Sequence, residues 1–473
     1  MNKVSCFLPV FPLVIASSCM EGRQGDGSAI HEPNVIFIFT DDQNHDWIGY
    51  RNPLVVTPNL DRIAAKGVII ENAFITLPVC SPSRATALTG RHNLTNGVSG
   101  YGTPLTEEEF SFAHFFNQAG YLTAMVGKWH IPGHRAKNLG FEEVRQLGGG
   151  APYWNPPVIE NEEERVYKGF STDYCVEQTM EIISRAERES KPFAIWLCTQ
   201  APHGRRAELG GFWISDEVRD IYAHRDFSKV PLPDNLFDDL SGKPPYLKTY
   251  RGKRLGDERN VTNPGRFRNK SGVFGQITEM DRSLGQLFDF LEESGLNGNT
   301  YIVFMSDNGV FSGMHGLTSK GLLYDAVVRV PMFVTGPGIE PGRRDNATLV
   351  SNVDIAPTIL DLAGIDYPDN MHGLSLKNLL LENEPLEREY LFLELPDENP
   401  TLETKPAFAL RSLEWKYIRT FEDGRDNPYT FEELYHLKND PHEVENLAGM
   451  PAHQDLVRAF RAELDSKLER VSR

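Results

Sequence analysis

The sequence is poor in cysteine, in net positive charge and in long apolar runs. Only five cysteines occur in 473 residues. Cys6 and Cys19 belong to the N-terminal segment, and the others are Cys80, Cys175 and Cys198. An odd set of three is not a disulfide framework, so we do not expect cross-links to hold the fold. We expect Cys175 and Cys198 to be small core residues.

The negative net charge makes some classes of binding partner unfavourable. Lys and Arg number 48 against 66 Asp and Glu, which gives a formal net charge of −18 and a pI near 5.2. A chain this acidic disfavours nonspecific binding to nucleic acid. We therefore expect no nucleic-acid partner, and an anionic substrate would need a pocket that is locally basic.

An apolar run at the N-terminus predicts export. Lys3 precedes the stretch from Val4 to Ile15, which is too short to cross a bilayer as a helix. Ala16-Ser17-Ser18-Cys19 then resembles a bacterial lipobox, in which Cys19 is lipidated after cleavage. We expect residues 1–28 to be the signal peptide and tether of a Gram-negative bacterial protein. That protein would be anchored to the outer membrane through Cys19 or soluble in the periplasm, with no other membrane contact.

Two apolar runs, residues 34–40 and 301–306, end in polar pairs. The pairs are Asp41-Asp42 and Asp307-Asn308. Runs without polar alternation predict strands buried on both faces, and ligands bind beyond the C-terminal ends of such strands in α/β sheets. Adjacent carboxylates repel each other unless a cation neutralises them, and hard oxygen ligands favour Ca²⁺ or Mg²⁺. These pairs therefore predict a metal site.

A short helix is predicted directly after Cys80. Ser81 suits the N-cap, Pro82 the first helical position and Gly90 the position just past the end. Cys80 would then lie at a helix N-terminus, where free N–H groups favour an anion, and Arg84 would lie in the first turn. A thiol there is either a low-pKa nucleophile or the precursor of one, unless it is a buried, inert core residue.

Two further strands, at residues 121–126 and 193–198, are predicted to end near titratable side chains. The first precedes Gly127-Lys128-Trp129-His130, and the second precedes Ala201-Pro202-His203. Both runs are apolar and short, as expected for strands inside a sheet. Lys128, His130 and His203 are therefore candidates for the same sheet edge.

Two stretches predict loops. Residues 148–164 are rich in Gly, Pro, Asn and charge, which predicts an irregular loop. Within it, Tyr153 and Trp154 either stack on a sugar ring or anchor the loop by packing. Residues 207–270 form a long, charged insertion of the kind that encodes specificity above a sheet edge.

Cys80-Ser81-Pro82-Ser83-Arg84, followed by Thr89-Gly90, closely resembles the C-x-P-S-R-x-x-x-x-T-G motif of the formylglycine-dependent sulfatases. The resemblance extends in chain order from residue 34 to about 450. Its other matching blocks are Asp41-Asp42, G-K-W-H at 127–130, Pro202-His203, S-D-N-G at 306–309, H-G-L-x-x-K-G at 315–321 and L-Y-H-L at 434–437.

The resemblance implies the nucleophile and its metal. Cys80 would be oxidised to formylglycine by a maturation enzyme, and the hydrate of that aldehyde would be the nucleophile. A Ca²⁺ ion, or alternatively Mg²⁺, would be held by this modified residue together with Asp41, Asp42, Asp307 and Asn308.

The resemblance also implies the residues that handle the sulfate. Lys128 and Lys320 would bind it, with Arg84 adding fixed positive charge. His130 would be the base that collapses the covalent intermediate, and His203 would lie near the leaving-group oxygen. Arg205 departs from the usual continuation after Pro-His and is a candidate for contacting a second anionic group.

The fold that the resemblance implies is an alkaline-phosphatase-like α/β fold. A large mixed β-sheet would lie between helices, followed by a small C-terminal antiparallel sheet with a helix. We expect a catalytic domain over residues 29–384 and an α+β subdomain over 385–473. Short strands are predicted at 390–394, 407–411 and 415–420, and a helix at about 451–471.

The function implied is hydrolysis of sulfate esters on glycosaminoglycan or algal polysaccharide fragments, with release of inorganic sulfate. The expected partners are a sulfated oligosaccharide substrate and the maturation enzyme. One alternative is a phosphonate or phosphate ester hydrolase on the same scaffold. Another is a catalytically inactive, glycan-binding lipoprotein, against which the full set of predicted site residues argues.

Overall fold

The computed structural model describes residues 32–106, 109–160, 162–204, 213–227, 232–248, 250 and 271–471. The predicted signal peptide and tether, with Cys19, lie outside these residues. Arg205 and parts of the insertion at 207–270 lie outside them as well. None of the described helices has the length and apolar character that crossing a membrane requires.

Strands and helices alternate along most of the described chain. The strands are β1 (Asn34–Thr40), β2 (Val68–Ile70), β3 (Ala73–Phe74), β4 (Leu122–Gly127), β5 (Glu143–Leu147), β6 (Pro157–Glu160), β7 (Glu163–Val166), β8 (Phe193–Cys198), β9 (Thr300–Ser306), β10 (Phe311–Ser312), β11 (Thr318–Ser319), β12 (Met332–Thr335), β13 (Arg343–Asp345), β14 (Val350–Ser351), β15 (Leu391–Leu395), β16 (Ala407–Arg411), β17 (Trp415–Thr420) and β18 (Phe431–His436). The helices are α1 (Pro58–Ala64), α2 (Cys80–Thr89), α3 (Asn93–Asn96), α4 (Phe112–Gln118), α5 (Ser171–Arg188), α6 (Asp216–Ala223), α7 (Ser271–Glu293), α8 (Asp325–Val328), α9 (Ile355–Leu362), α10 (Lys377–Glu382) and α11 (Gln454–Val471).

A ten-stranded mixed sheet forms the centre, in the order β13-β2-β12-β9-β1-β8-β4-β5-β6-β7. Strands β9, β1, β8, β4 and β5 are parallel to their neighbours in this run. Strands β12, β6 and β7 pair in the antiparallel sense. The predicted large mixed sheet is confirmed, and the parallel strands bring their C-terminal ends to one edge.

The central strand β1 explains why the sheet needs helices on both faces. All of its residues are buried, and successive side chains of a strand point to opposite faces. Val35, Phe37 and Phe39 accordingly enter one hydrophobic core, while Ile36 and Ile38 enter another. Helices α2, α4 and α9 contribute to the first core, and α1, α5 and α7 contribute to the second. The sandwich of helices around the sheet is therefore confirmed.

The prediction of one irregular loop over residues 148–164 is wrong. Strands β6 and β7 form an antiparallel hairpin there and extend the large sheet to its end. Every residue of β7 is exposed, including Glu163 and Glu164. Charged side chains protect an edge strand from pairing with other chains. The same charges remove the apolar alternation by which a strand is recognised in sequence.

A four-stranded antiparallel sheet, in the order β15-β16-β17-β18, follows the large sheet and confirms the predicted C-terminal element. Helix α11 packs on it through Val457, Phe460 and Leu464, which share a core with Phe408 and Tyr417. The sequence pattern predicts no strand at β18, because its letters FEELYH mix polar and apolar residues without a long apolar run.

Candidate active site

The C-terminal ends of β1 and β9 bring four polar side chains together. The two strands are parallel and in register, with Thr40 opposite Ser306. Asp41-Asp42 and Asp307-Asn308 therefore start at the same level of the sheet. The backbone N–H of Asp42 donates to Asp307 Oδ1 over 3.1 Å, and the Asn308 amide donates to Asp42 Oδ1. All four residues are buried.

Two lysines and a histidine reach the same carboxylates. Strands β4 and β8 end at this edge too, because both run parallel to β1. Lys128, directly after β4, forms an ion pair with Asp41. Lys320, directly after β11, forms one with Asp42. His203, in the loop after β8, places Nε2 at 3.6 Å from Asp42 Oδ2.

The prediction that Ser81 caps the following helix is wrong. Helix α2 begins at Cys80 itself, because the Ser83 N–H donates to Val79 O over 2.9 Å and Val79 takes the extended N-cap conformation. Every residue of α2 is buried. Cys80 consequently lies in the first turn of a fully enclosed helix, still at its N-terminal end.

Cys80 and Arg84 point into the carboxylate cluster. The Cys80 Sγ is 2.6 Å from Lys320 Nζ and 3.3 Å from Asp41 Oδ1. Arg84 donates from Nε and Nη2 to Asp307 Oδ2, over 3.1 and 2.8 Å. Its Nη1 donates to the Lys128 carbonyl over 3.0 Å. Helix α2 therefore supplies both the thiol and the cation nearest to Asp307.

These side chains form a buried, charge-balanced group, which we call the strand-end cluster. Three carboxylates face three cations, and the members are Asp41, Asp42, Asp307, Arg84, Lys128 and Lys320. Burial alone would make the ionised forms costly. Ion pairing offsets this cost. A substrate anion would therefore meet cations that are already ionised and held in place.

The pKa values of the carboxylates follow from this pairing. Burial tends to raise the pKa of Asp41, but Lys128 and its neighbours hold it well below the usual value. At Asp42 burial also tends to raise the pKa, but the charge of Lys320 acts in the opposite direction, and the pKa of Asp42 is lowered. Burial and the charge of Asp41 raise the pKa of Asp307 to about 7, against the effect of Arg84. Asp307 is thus the carboxylate of the cluster whose ionised form an added positive charge would stabilise most.

The Cys80 thiol is not a ready nucleophile. Burial, with the charges of Asp307 and Asp41, raises its pKa well above the ordinary value. A thiolate is the reactive form of cysteine, and this site disfavours it. Of the two reactive roles expected from the sequence, the raised pKa disfavours the low-pKa nucleophile and is compatible with the precursor of another nucleophile.

The donor set fits a hard divalent cation. Oxygens of Asp41 and Asp42, the Cys80 sulfur and a His203 nitrogen all lie within 4.8 Å of one another. If Cys80 is oxidised, its sulfur stands in for a hydrate oxygen, which gives mainly oxygen donors as Ca²⁺ prefers. Asn308 lies against Asp42, and rotation of its amide would present its oxygen. Whether Asp307 is a ligand stays a prediction.

A cavity of about 530 Å³ opens beside the cluster. Ser81, Lys128, His130 and His203 line it. Desolvation, followed by the charge of Lys128, lowers the pKa of His130 to about 3, so its ring is neutral and able to accept a proton. Desolvation also lowers the pKa of His203.

Tyr153 is a packing anchor rather than a sugar-stacking platform. Its ring is buried, and its hydroxyl donates to the carbonyl oxygens of Gln200, at 3.2 Å, and His203, at 2.6 Å. Trp154, in contrast, is exposed and stacks on Trp213 with centroids 4.4 Å apart. Tyr153 therefore fixes the loop that carries His203, a role that no local sequence pattern revealed.

The backbone is strained at this edge. Asp42, His130 and Ser319 adopt positive φ angles of 64°, 56° and 73°. Such conformations are uncommon outside glycine and collect at functional sites, where the surrounding structure imposes them. Two of the three are predicted site residues, and Ser319 immediately precedes Lys320.

Models of known families match the chain over most of its length. The model of the sulfatase family matches residues 33–365. A second model, described as the C-terminal part of N-sulphoglucosamine sulphohydrolase, matches residues 313–470. The two matches overlap over residues 313–365, which contain β11 to β14, and together span both sheets.

Individual proteins are similar over nearly the whole chain. An N-acetylglucosamine-6-O-sulfatase of Bacteroides thetaiotaomicron is 28% identical, with 95% of this chain and 88% of the relative covered. An ulvan-active sulfatase of Formosa agariphila is 29% identical, with 92% and 81% covered. A solved protein in complex with its substrate D-glucosamine-2-N,6-O-disulfate superposes with a TM-score of 0.81 at 25% identity, covering 93% of this chain and 98% of that one.

Proposed function

The chain belongs to the sulfatase family and is a sulfuric ester hydrolase, and we propose that it removes sulfate from a sulfated sugar by means of a formylglycine at position 80. The observation that carries the proposal is the convergence of Cys80 with Asp41 and Lys320. A sulfur within 2.6 Å of an ammonium, yet with a raised pKa, suits a residue that is converted into another nucleophile.

The modified residue and the cation each have a definite contribution. A hydrate at position 80 would supply a hydroxyl nucleophile, and a divalent cation on Asp41, Asp42 and Asn308 would supply fixed positive charge. The strand-end cluster alone sums to zero, from three carboxylates and three cations. With the cation it would carry +2, which matches the −2 of departing inorganic sulfate. We take Ca²⁺ as the first candidate and Mg²⁺ as the second.

The two lysines and Arg84 would stabilise the negative charge that develops during the reaction. Lys128 and Lys320 are pinned by Asp41 and Asp42, so their ammonium groups need no reorganisation when an anion arrives. Preorganised cations in a site shielded from water stabilise a transition state far more than they would in solution. Arg84 is fully buried and pairs with Asp307. It acts indirectly, by holding that carboxylate and the Lys128 carbonyl in place.

The two histidines that line the cavity would accept and donate the protons of the reaction. His130 lines the cavity and is neutral at physiological pH, because its pKa is lowered to about 3. The neutral ring would accept the proton of the second hydroxyl of the hydrate, which releases the sulfate and restores the aldehyde. His203 lies beside Asp42 at 3.6 Å and faces the cavity where the leaving alcohol would stand. Either His203, once protonated, or Lys320 would supply the proton to the leaving oxygen.

We propose a sulfated amino sugar from a glycosaminoglycan fragment as the substrate class. The match to the N-sulphoglucosamine sulphohydrolase model and the names of the relatives that act on glucosamine support this choice. Sulfated algal oligosaccharide is the second candidate, which the name of the ulvan-active relative supports. Export and lipidation at Cys19 remain predictions from the sequence.

The test is sulfate release by the matured protein from a panel of sulfated sugars. The panel includes N-acetylglucosamine 6-sulfate, glucosamine 2-N,6-O-disulfate, ulvan fragments and the corresponding phosphate and phosphonate esters. Mass spectrometry of the peptide that contains residue 80 establishes whether the aldehyde is present. The controls are Cys80→Ala and Cys175→Ala, because Cys175 is an equally buried free thiol outside the cluster.

Release from one sugar that is lost in Cys80→Ala and kept in Cys175→Ala would support the proposal. Turnover that survives Cys80→Ala would refute the mechanism. Hydrolysis of the phosphonate esters alone, with the aldehyde present, would favour the phosphonate hydrolase. Binding of the sugars without any hydrolysis would favour the inactive, glycan-binding role.

A further inference from the structure

The glycines at 148–150 follow strand β5 at the same edge of the sheet as the strand-end cluster. Strand β5 is the parallel neighbour of β4, with Gln146 opposite Gly127. The residues after β5 therefore lie beside Lys128, which follows β4. All three glycines line the 530 Å³ cavity, whose volume is typical of small-ligand sites.

Two of the three glycines have a reason within the protein. A Cβ at position 148 would lie 3.0 Å from Pro157 Cγ and 3.1 Å from its carbonyl oxygen, which is tighter than ordinary contact. Gly150 has a φ of 67°, which disfavours any residue with a side chain. Folding therefore accounts for glycine at these two positions without any ligand.

Neither a steric clash nor a positive φ requires glycine at position 149. Its φ lies outside the left-handed region, and no heavy atom of the described protein lies within 4 Å of the place where its Cβ would stand. The described residues leave room for a side chain at this position. Because the position borders the cavity, the space next to Gly149 is available to whatever the cavity holds.

The lining of the cavity separates two ends of a substrate. Lys128, His130 and His203 line one part and carry the groups suited to the ester and its proton transfers. Ile131 and the stretch 146–150 also line it and carry no charge. No side-chain hydrogen bond between described residues involves the Gln146 amide. A sulfate at the charged part would leave an uncharged sugar ring against this wall.

We propose that Gly149 is a specificity-determining contact, at which the ring that bears the sulfate ester lies against bare backbone. The inference rests on the proposed function, and it adds the part of the site that reads the sugar rather than the sulfate. A ring that presents hydroxyl or N-acetyl groups to the wall fits it, and a side chain at position 149 narrows the space for that ring.

The test is a size series at position 149 with a matched control. Gly298 is also exposed, also outside the left-handed region, and also has no heavy atom within 4 Å of its Cβ position. It lies in the turn Leu296–Asn299 before β9, at the opposite edge of the sheet. The variants are Gly149→Ala, Gly149→Val, Gly298→Ala and Gly298→Val, each with its melting temperature measured.

Two kinetic measurements separate binding of the ring from binding of the sulfate. The first is KM and kcat/KM for the sulfated sugar that the wild type turns over, and the second is the inhibition constant of inorganic sulfate. We expect a KM about 3- to 10-fold higher in Gly149→Ala and a kcat/KM about 100-fold lower in Gly149→Val, since small displacements of a substrate are costly. The sulfate inhibition constant should stay within about twofold, and both Gly298 variants should behave as wild type.

Each other result overturns the inference. An active wild type with Gly149→Val within twofold of Gly298→Val in kcat/KM would show that no ring lies there. A sulfate inhibition constant that rises in parallel with KM would show a general disturbance of the site. A wild type that carries the aldehyde but releases sulfate from no sugar would refute the proposed function, and this inference with it.

Discussion

The strand-end cluster and a second buried cluster, at the junction with the C-terminal sheet, both pair three carboxylates with three cations. We call the second one the junction cluster; its charged members are Asp325, Glu433, Glu443, Lys243, Arg411 and Lys416. The strand-end cluster borders a cavity through Lys128, whose side chain keeps 17% of its surface exposed. In the junction cluster, Lys416 is fully buried and Lys243 nearly so.

Protein groups close the junction cluster. Lys416 Nζ lies 2.8 Å from Asp325 and 2.7 Å from Glu443. The hydroxyls of Tyr324 and Tyr435 both donate to Glu433, over 2.7 and 2.6 Å. Tyrosine side chains thus cover the junction cluster, whereas the strand-end cluster borders a cavity. Buried charge by itself therefore does not identify an active site, whereas ionised groups that face an open cavity do.

The comparison predicts opposite results for one substitution made in both clusters. Lys320→Met should lower kcat about a thousandfold, or about 4 kcal/mol in the transition state, because one preorganised cation is removed from the developing charge. Its melting temperature should stay close to that of the wild type once the divalent cation is bound. Kinetics of sulfate release and a thermal melt check both statements, and kcat within tenfold of wild type would contradict the assignment.

Lys416→Met should lower the free energy of unfolding by about 3 kcal/mol and leave kcat per folded molecule unchanged. Removing one partner from a buried ion pair costs about 3–5 kcal/mol. The lower end applies because Arg411 still pairs with Asp325 at 3.1 Å. Glu443 can also take up a proton, since burial raises its pKa to about 7. Urea denaturation measures the loss, and a catalytic defect without loss of stability would reverse our reading of the junction cluster.

The sequence predicted the strand-end cluster far better than the junction cluster, for a physical reason. The carboxylates of the strand-end cluster and Lys128 follow buried strands, so local patterns such as Asp41-Asp42 and Asp307-Asn308 mark them. Arg84 lies one turn inside α2. Lys320 follows the partly exposed β11, and its place in the site came from the family resemblance. The junction cluster joins residues far apart in the chain, such as Lys243 and Tyr435, which contact each other across 192 positions. Nothing beside either residue marks such a contact. The same limit hid the bond from Tyr153 to the His203 loop.

Elements were predicted where burial leaves an apolar pattern. Strand β9 lies at Thr300–Ser306 against a predicted 301–306, and α11 lies at Gln454–Val471 against a predicted 451–471. The charged hairpin of β6 and β7 was missed, because its edge position favours polar residues. The start of α2 was misplaced by two residues, since the capping preference of Ser81 is weaker than the packing of a helix buried on every side.

Calcium should stabilise the protein through the strand-end cluster alone. A ligand that binds only the folded state raises the free energy of unfolding by about 2.7 kcal/mol at 100 times its Kd. We expect this gain, lost on chelation, in the wild type and in Asp325→Asn. Asp42→Asn should lose it, and asparagine tolerates the positive φ of 64° at that position. Thermal melts with and without Ca²⁺ measure the gain; equal gains in both variants would exclude the cluster as the site.

The smallest effect concerns His315, in the segment that joins the two clusters. Its Nδ1 lies 2.7 Å from Asp238 Oδ2, and its ring packs 5.1 Å from that of Tyr324. Burial lowers the pKa of His315 to about 4, although Asp238 and Asp440 favour the charged form and Lys243 opposes it. The folded protein therefore holds this ring neutral, whereas the unfolded chain protonates it below about 6.5.

Stability from His315 is consequently present at neutral pH and is lost as the pH falls from about 6.5 towards 4. Between pH 7 and pH 5 this linkage amounts to about 2 kcal/mol. His315→Asn removes the titration, keeps a side-chain donor for Asp238 and suits the φ of 53°. Urea denaturation of both proteins at pH 7 and pH 5 isolates the contribution, because all other acid-sensitive groups are shared. If the wild type and the variant lose the same stability, the segment that carries Lys320 is not held by a neutral histidine, and the contact of His315 with Asp238 is then no pH-dependent support for the site.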